Sequence, residues 1–228
     1  MAERSEIVTY SGYKHFFARV LPGFEPTGLV LECSHYYPCS CTKCSSEPGL
    51  EWGLSEALVK AVIQRGLECI PLASHVALQD NSYTMCDKKE ISLADHDMMI
   101  YGATWYMRKL GAVPGDKVCA TAVTEWQRHL DTPAPATRQD MIAALNGEIA
   151  GRIMTLKEVK LFLDAVYTSH RAVADLSWLQ VYSFVDETPN GCKLFGKLAA
   201  FAASIGGTQT LRGMVFTIPR TTAYSDSW

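Results

Sequence analysis

Residues 155–190 read TLKEVKLFLDAVYTSHRAVADLSWLQVYSFVDETPN, and the reading of this stretch decides the fold. Thr155 followed three residues later by Glu158 has the spacing of a capping box, in which a hydroxyl and a carboxylate satisfy the orphan N–H groups of a helix start. Leu156, Val159, Leu163 and Val166 recur at three and four residues, and Phe162 and Tyr167 widen that stripe. Lys157 and Lys160 fall off it and are expected to reach solvent or a partner. A second aromatic-rich segment, Trp178 to Asp186, stops at the turn Thr188-Pro189-Asn190-Gly191. The stretch predicts two core helices in a helical domain.

Outward from it, the pattern continues in both directions. Gly191 to Ile205 is helical in period and carries small residues that permit close helix contact, whereas the chain from Gly206 onward is poor in helix formers and reads as extended. On the other side, Thr137 and Asp140 start a helix expected to run to about Ala150. The Pro/Ala stretch 131–136 reads as a linker. Asp116 to Leu130 predicts a helix carrying Trp126. Ser92 to Leu110 predicts one long helix capped by Ser92, with Asp95 and Asp97 near its start and Arg108 and Lys109 at its end, matching the macrodipole. Residues 67–91 read as a loop-rich connector whose DKKE run is solvated surface. Leu54 to Arg65 forms an amphipathic helix with Gly66 as its stop. Residues 1–50 read as irregular, with possible strands at Tyr10 to Leu21 and Gly28 to Cys33. The predicted fold class is mainly α: an N-terminal arm over 1–50, a helical-bundle core over 51–205 and an extended C-terminal tail over 206–228.

Composition limits what such a protein does. With 228 residues the chain can bury a sizeable core, and 48% hydrophobic against 20% charged residues is a globular balance. A net charge of −3 gives no global basic field toward nucleic acid or anionic membrane, although a local groove needs none. Residues 132–228 hold 9 Lys/Arg against 8 Asp/Glu, and the rest of the chain 12 against 16, so cations that could meet phosphate are better placed in the second half. The polar start MAERSEIVTYSG reads against a secretory signal, and no run approaches the ~20 apolar residues of a membrane span. The expectation is a cytosolic protein whose 8 cysteines are thiols or metal ligands.

The densest chemical feature is CSHYYPCSCTKCSS, which holds Cys33, His35, Cys39, Cys41 and Cys44. Cys41 and Cys44 have the two-residue gap that lets one turn supply two zinc ligands, but no second such pair follows. Unligated thiols are therefore expected and no cofactor is assigned; zinc held by Cys33, Cys39, Cys41 and Cys44 is the weaker alternative. His96 between Asp95 and Asp97 reads as an ordinary helix turn. No phosphate loop, HExxH, nucleophile elbow or dinucleotide fingerprint is present, which argues against an enzyme.

An arm, a helical core and an extended tail suit a subunit whose ends reach neighbours. Over about Ser92 to Ile205 the chain resembles the coat proteins of flexuous filamentous RNA viruses, the potyvirus and potexvirus type. The residues that carry the resemblance are the Met- and Trp-containing helix Met98 to Leu110, the opening Thr155-Leu156-Lys157-Glu158, the segment Tyr182-Ser183-Phe184, the turn Thr188-Pro189 and the Ala-rich Leu198 to Ala203. The family has an arginine where this chain has Lys157, and its acid is replaced by Ser183 unless Asp186 serves in a shifted register. The cysteine cluster has no counterpart in that family. The resemblance implies a helical capsid in virions and host cytoplasm, with single-stranded RNA and neighbouring copies as partners and no membrane. It implies that Lys157, Lys160 and Arg152 neutralise phosphate while Gln180, Ser183 or Asp186 hydrogen-bond the strand. Three other readings stay open: a nucleocapsid protein of a segmented negative-strand virus, a zinc-stabilised interaction protein, and an enzyme using a Cys/His pair near residues 33–44.

Overall fold

A computed structural model describes residues 17–22, 28–34, 52–69, 73–86, 89–146, 154–169, 176–185, 188 and 191–223. Helices account for most of them, as expected, but a five-stranded sheet joins them where a purely helical core was predicted. The chain separates into two compact units, neither continuous in sequence.

The first unit spans 1–82, 105–119 and 212–228. Strands β1 (Phe17–Pro22) and β2 (Gly28–Ser34) pair antiparallel, close to the two strands read from the sequence. Helix α1 (Trp52–Cys69) then precedes β3 (His75–Gln79), which runs parallel to β2, as a crossover connection permits. Gly66 does not stop α1: the helix continues one more turn and buries Leu67 completely. The gain from burying another leucine outweighs the roughly 1 kcal/mol that a glycine costs inside a helix. Strand β3 lies in what read as a connector. Its alternation of buried Val76 and Leu78 with more exposed His75, Ala77 and Gln79 is the two-residue period of a half-buried strand.

The C-terminal segment completes this sheet. Strand β7 (Val215–Pro219) pairs antiparallel with β3 along its length, and β6 (Val113–Pro114) pairs with its other edge, giving the order β1-β2-β3-β7-β6. Within the predicted extended tail, Val215–Pro219 is extended and pairs within the same chain, whereas Arg220–Ala223 is helical. Arg220, in the short helix α9 (Arg220–Ala223), donates to Leu67 O at 3.2 Å and Ala73 O at 3.1 Å, which ties the tail to the end of α1. Helix α3 (Trp105–Leu110) belongs to this unit, where Tyr106 packs on Phe216 with ring centroids 6.3 Å apart.

The second unit spans 83–104 and 120–211. The hairpin β4 (Tyr83–Cys86) and β5 (Lys89–Ser92) leads directly into α2 (Leu93–Tyr101), with Ser92 accepting from Asp95 N at 3.1 Å as the predicted cap. The single helix predicted from Ser92 to Leu110 is instead two. Gly102 takes the left-handed conformation (φ 71°), donates to Met98 O and ends α2, a geometry that glycine adopts without steric cost.

Helices α4 (Lys117–Asp131), α5 (Arg138–Asn146), α6 (Leu156–Ser169), α7 (Trp178–Tyr182) and α8 (Gly191–Gly206) follow. Their buried faces carry Trp126, Phe162, Leu163, Val166, Trp178, Tyr182 and Phe201. The stretch read as a linker, 131–136, lies inside this unit. Pro133 bridges Ser177 there, and Ala134 N donates to Leu176 O at 2.7 Å. No helix among the described residues is long and apolar enough to cross a membrane.

Candidate nucleic-acid interface

The start of α6 is fixed by hydrogen bonds that the sequence foretells. Glu158 N donates to Thr155 Oγ1 at 3.3 Å, while Thr155 N donates to Glu158 Oε2 at 2.9 Å, so the capping box is closed in both directions. Lys197 of α8 then places its ammonium 2.7 Å from both oxygens of the same carboxylate. The ammonium, with help from the Thr155 backbone N–H, holds the Glu158 carboxyl down to about 2. The one acid in the first turn of α6 is therefore already answered from inside the unit.

That arrangement leaves Lys157 and Lys160 as the charges this end presents outward. Both are exposed, and among the described residues neither has an ion-pair partner. Three residues apart on a helix, their side chains rise as neighbours, about 5–6 Å apart at Cβ. They line an open depression of about 350 Å³ together with Leu156, Leu161 and Asp164. Asp164 is paired with Arg138 of α5, whose guanidinium also lies 5.9 Å from the centre of the Tyr167 ring. The carboxylate of this face is thus matched, and the lysines supply its excess charge. Leu156 departs from its predicted place on the apolar stripe: it is 45% exposed, and Leu161 is 42% exposed. The first turn of α6 stands clear of the core, so the stripe becomes buried only from Val159 onward.

The other residues singled out from the sequence fall elsewhere. Gln180 is exposed, but its Oε1 accepts from Ser177 N at 2.8 Å as half of the α7 capping box, and Ser183 Oγ donates to Gln180 O at 2.8 Å. Both side chains are engaged in holding α7, and neither is brought to the α6 lysines by any of these bonds. Arg152 and Asp186 lie outside the described residues, as do His35, Cys39, Cys41 and Cys44; Cys33 is described only as backbone in β2. Among the described residues no cluster of three His, Cys, Asp or Glu side chains could hold a metal ion. Cys119 is a buried free thiol with its pKa raised, chiefly by burial, whereas Cys86 is disulfide-bonded, which corrects the expectation that every cysteine is a thiol or a metal ligand.

Two residues that matter to this face were not anticipated. Lys197 and Arg138 neutralise Glu158 and Asp164 across sequence separations of 39 and 26 residues, which no local spacing rule reaches. Chemically, the face can offer two ammonium groups to adjacent phosphates and apolar contact from two leucines. Among the described residues its lining contains no aromatic ring on which a base could stack. Comparison with protein-family models, with curated proteins and with solved structures finds no match to this chain.

Proposed function

We propose that this chain is an RNA-coating subunit, a coat protein of the flexuous filamentous virus type, which meets single-stranded RNA on the Lys157–Lys160 face of α6. The observation that carries the reading is the pair of outward lysines left unanswered while Glu158 and Asp164 are each neutralised by a partner. Contacts of ammonium with phosphate carry no base information, which suits a protein that must cover any sequence. In this reading Gln180 and Ser183 are helix caps rather than ligands, and the RNA-facing candidates are Lys157 and Lys160, with Arg152 and Asp186 outside the described residues. Strand β7 pairs along its length with β3 and over Phe216 and Thr217 with β6, so most of it is already paired within the chain.

Binding of labelled oligo(U) and oligo(A) to the full chain across a salt series tests the proposal. Lys157→Ala with Lys160→Ala is expected to weaken binding equally for both oligomers and to reduce the salt slope by about 1.4, two phosphates at about 0.7 each for single strands. Gln180→Ala is expected to leave the slope unchanged. A double variant with the wild-type slope and affinity would remove RNA from this face. Electron micrographs of protein mixed with long RNA test assembly, because the capsid reading requires flexuous rods.

A further inference from the structure

Away from the lysine face, one titratable side chain is buried without a carboxylate partner among the described residues. His129, in the last turn of α4, is only 4% exposed. Its Nε2 lies 2.9 Å from the Tyr182 hydroxyl, and its ring stacks on Trp178 at 5.8 Å with an interplanar angle of 21°. Behind it, the end of α8 approaches so closely that a Cβ on Gly206 would meet the ring at 2.7 Å, which leaves no room for water on that side. Trp178 in turn packs on Tyr182 at 5.3 Å and on Phe201 of α8 at 5.2 Å. One imidazole therefore joins α4, α7 and α8.

Among the described residues no carboxylate pairs with it. From α7 the titratable group facing the ring is Tyr182, fully buried and held neutral by that burial. From α8 it meets the Gly206 backbone, while Lys197 of that helix is bound to Glu158 and Lys193 adds no resolved charge effect to the ring. On α4 itself, Glu125, Arg128 and Asp131 add no resolved charge effect to the ring, whose shift is caused by burial. The carbonyl end of α4 favours a cation, but burial outweighs that and pushes the imidazole down to about 4.

We propose that His129 is an acid-operated latch, whose protonation unseats the ring from Tyr182 and Gly206 and lets water reach Trp178. Above 6.5 the ring is neutral in folded and unfolded chains and has no effect on stability. Between 6.5 and about 4 the unfolded chain takes up a proton that the latched state refuses, and below that range the loss levels off. The latched state should weaken by a few hundred-fold across this window.

Quenching of tryptophan fluorescence by acrylamide, followed from pH 7.5 to 3.5 on the full chain beside far-UV circular dichroism, reads the latch. The expected result is a rise in quenching below pH 6, absent from Trp178→Phe, while helical signal is retained. His129→Gln, which can still donate to Tyr182 but carries no charge, should lose that rise. If His129→Gln does not fold, the histidine ring's own NMR titration in the wild-type chain decides: a midpoint near 4 supports the latch and one near 6.5 overturns it. Quenching that rises only together with loss of helix, or unchanged in His129→Gln, also overturns it.

Discussion

At the start of α6, Thr155 and Glu158 close a capping box; at the start of α7, Ser177 and Gln180 close another. The backbone problem is the same at both ends, four N–H groups with no partner in the helix. The two solutions differ in charge. Glutamate brings a negative group that draws in Lys197 from α8, and the outward positions beside it carry Lys157 and Lys160. Glutamine brings none, and the residues beside it, Trp178, Val181 and Tyr182, turn into the core. One box leads to a charged surface and the other to an aromatic layer, so the cap alone does not say which way a helix faces.

The difference can be broken most severely on the aromatic side. Trp178→Ala removes a ring that contacts His129, Tyr182 and Phe201, and should cost about 3–5 kcal/mol in urea denaturation. Gly206→Ala keeps every side chain but forces a methyl against His129, with an expected loss of about 1–3 kcal/mol and a displaced His129 ring resonance.

On the charged side the effects should be smaller and should depend on pH. Glu158 is about a third exposed, so solvent screening reduces what its lowered pKa is worth, and Glu158→Gln should cost about 1 kcal/mol at pH 7. A carboxyl whose folded value lies near 2 rather than 4.5 stabilises the fold above 4.5, and that contribution is lost as pH falls toward 2. The deficit of Glu158→Gln should therefore shrink across that range; a constant deficit would show that its role is packing. The smallest expected change is in Lys157→Ala, within about 0.5 kcal/mol of wild type in thermal unfolding, since the side chain is exposed and unpaired. A larger loss would mean that Lys157 supports the fold instead of presenting charge.

Much of the second unit was legible because its signals are local. The Thr155 box, the Ser92 cap and the helical stripe from Val159 to Val166 depend on residues three or four apart, within reach of any reading of the chain. The box at Ser177 is equally local. Gly66 and Gly102 show where local signals stop deciding. Each is a glycine at the end of an apolar run, yet α1 passes through the first and α2 stops at the second. What separates them is whether the next turn has a core to enter, as Leu67 does.

By itself, then, the sequence determined where most helices of the second unit begin, which of their faces are apolar, and that Lys157 and Lys160 stand off the buried stripe. Only the tertiary structure decided that β3 and β7 are adjacent strands, because His75 and Pro219 pair across 144 residues and nothing in either segment names the other. The same holds for the electrostatics of the α6 face. A carboxylate's charge is written in the chain, but whether it remains free depends on what is folded against it. Lys197 and Arg138 reach Glu158 and Asp164 only once α8 and α5 are in place.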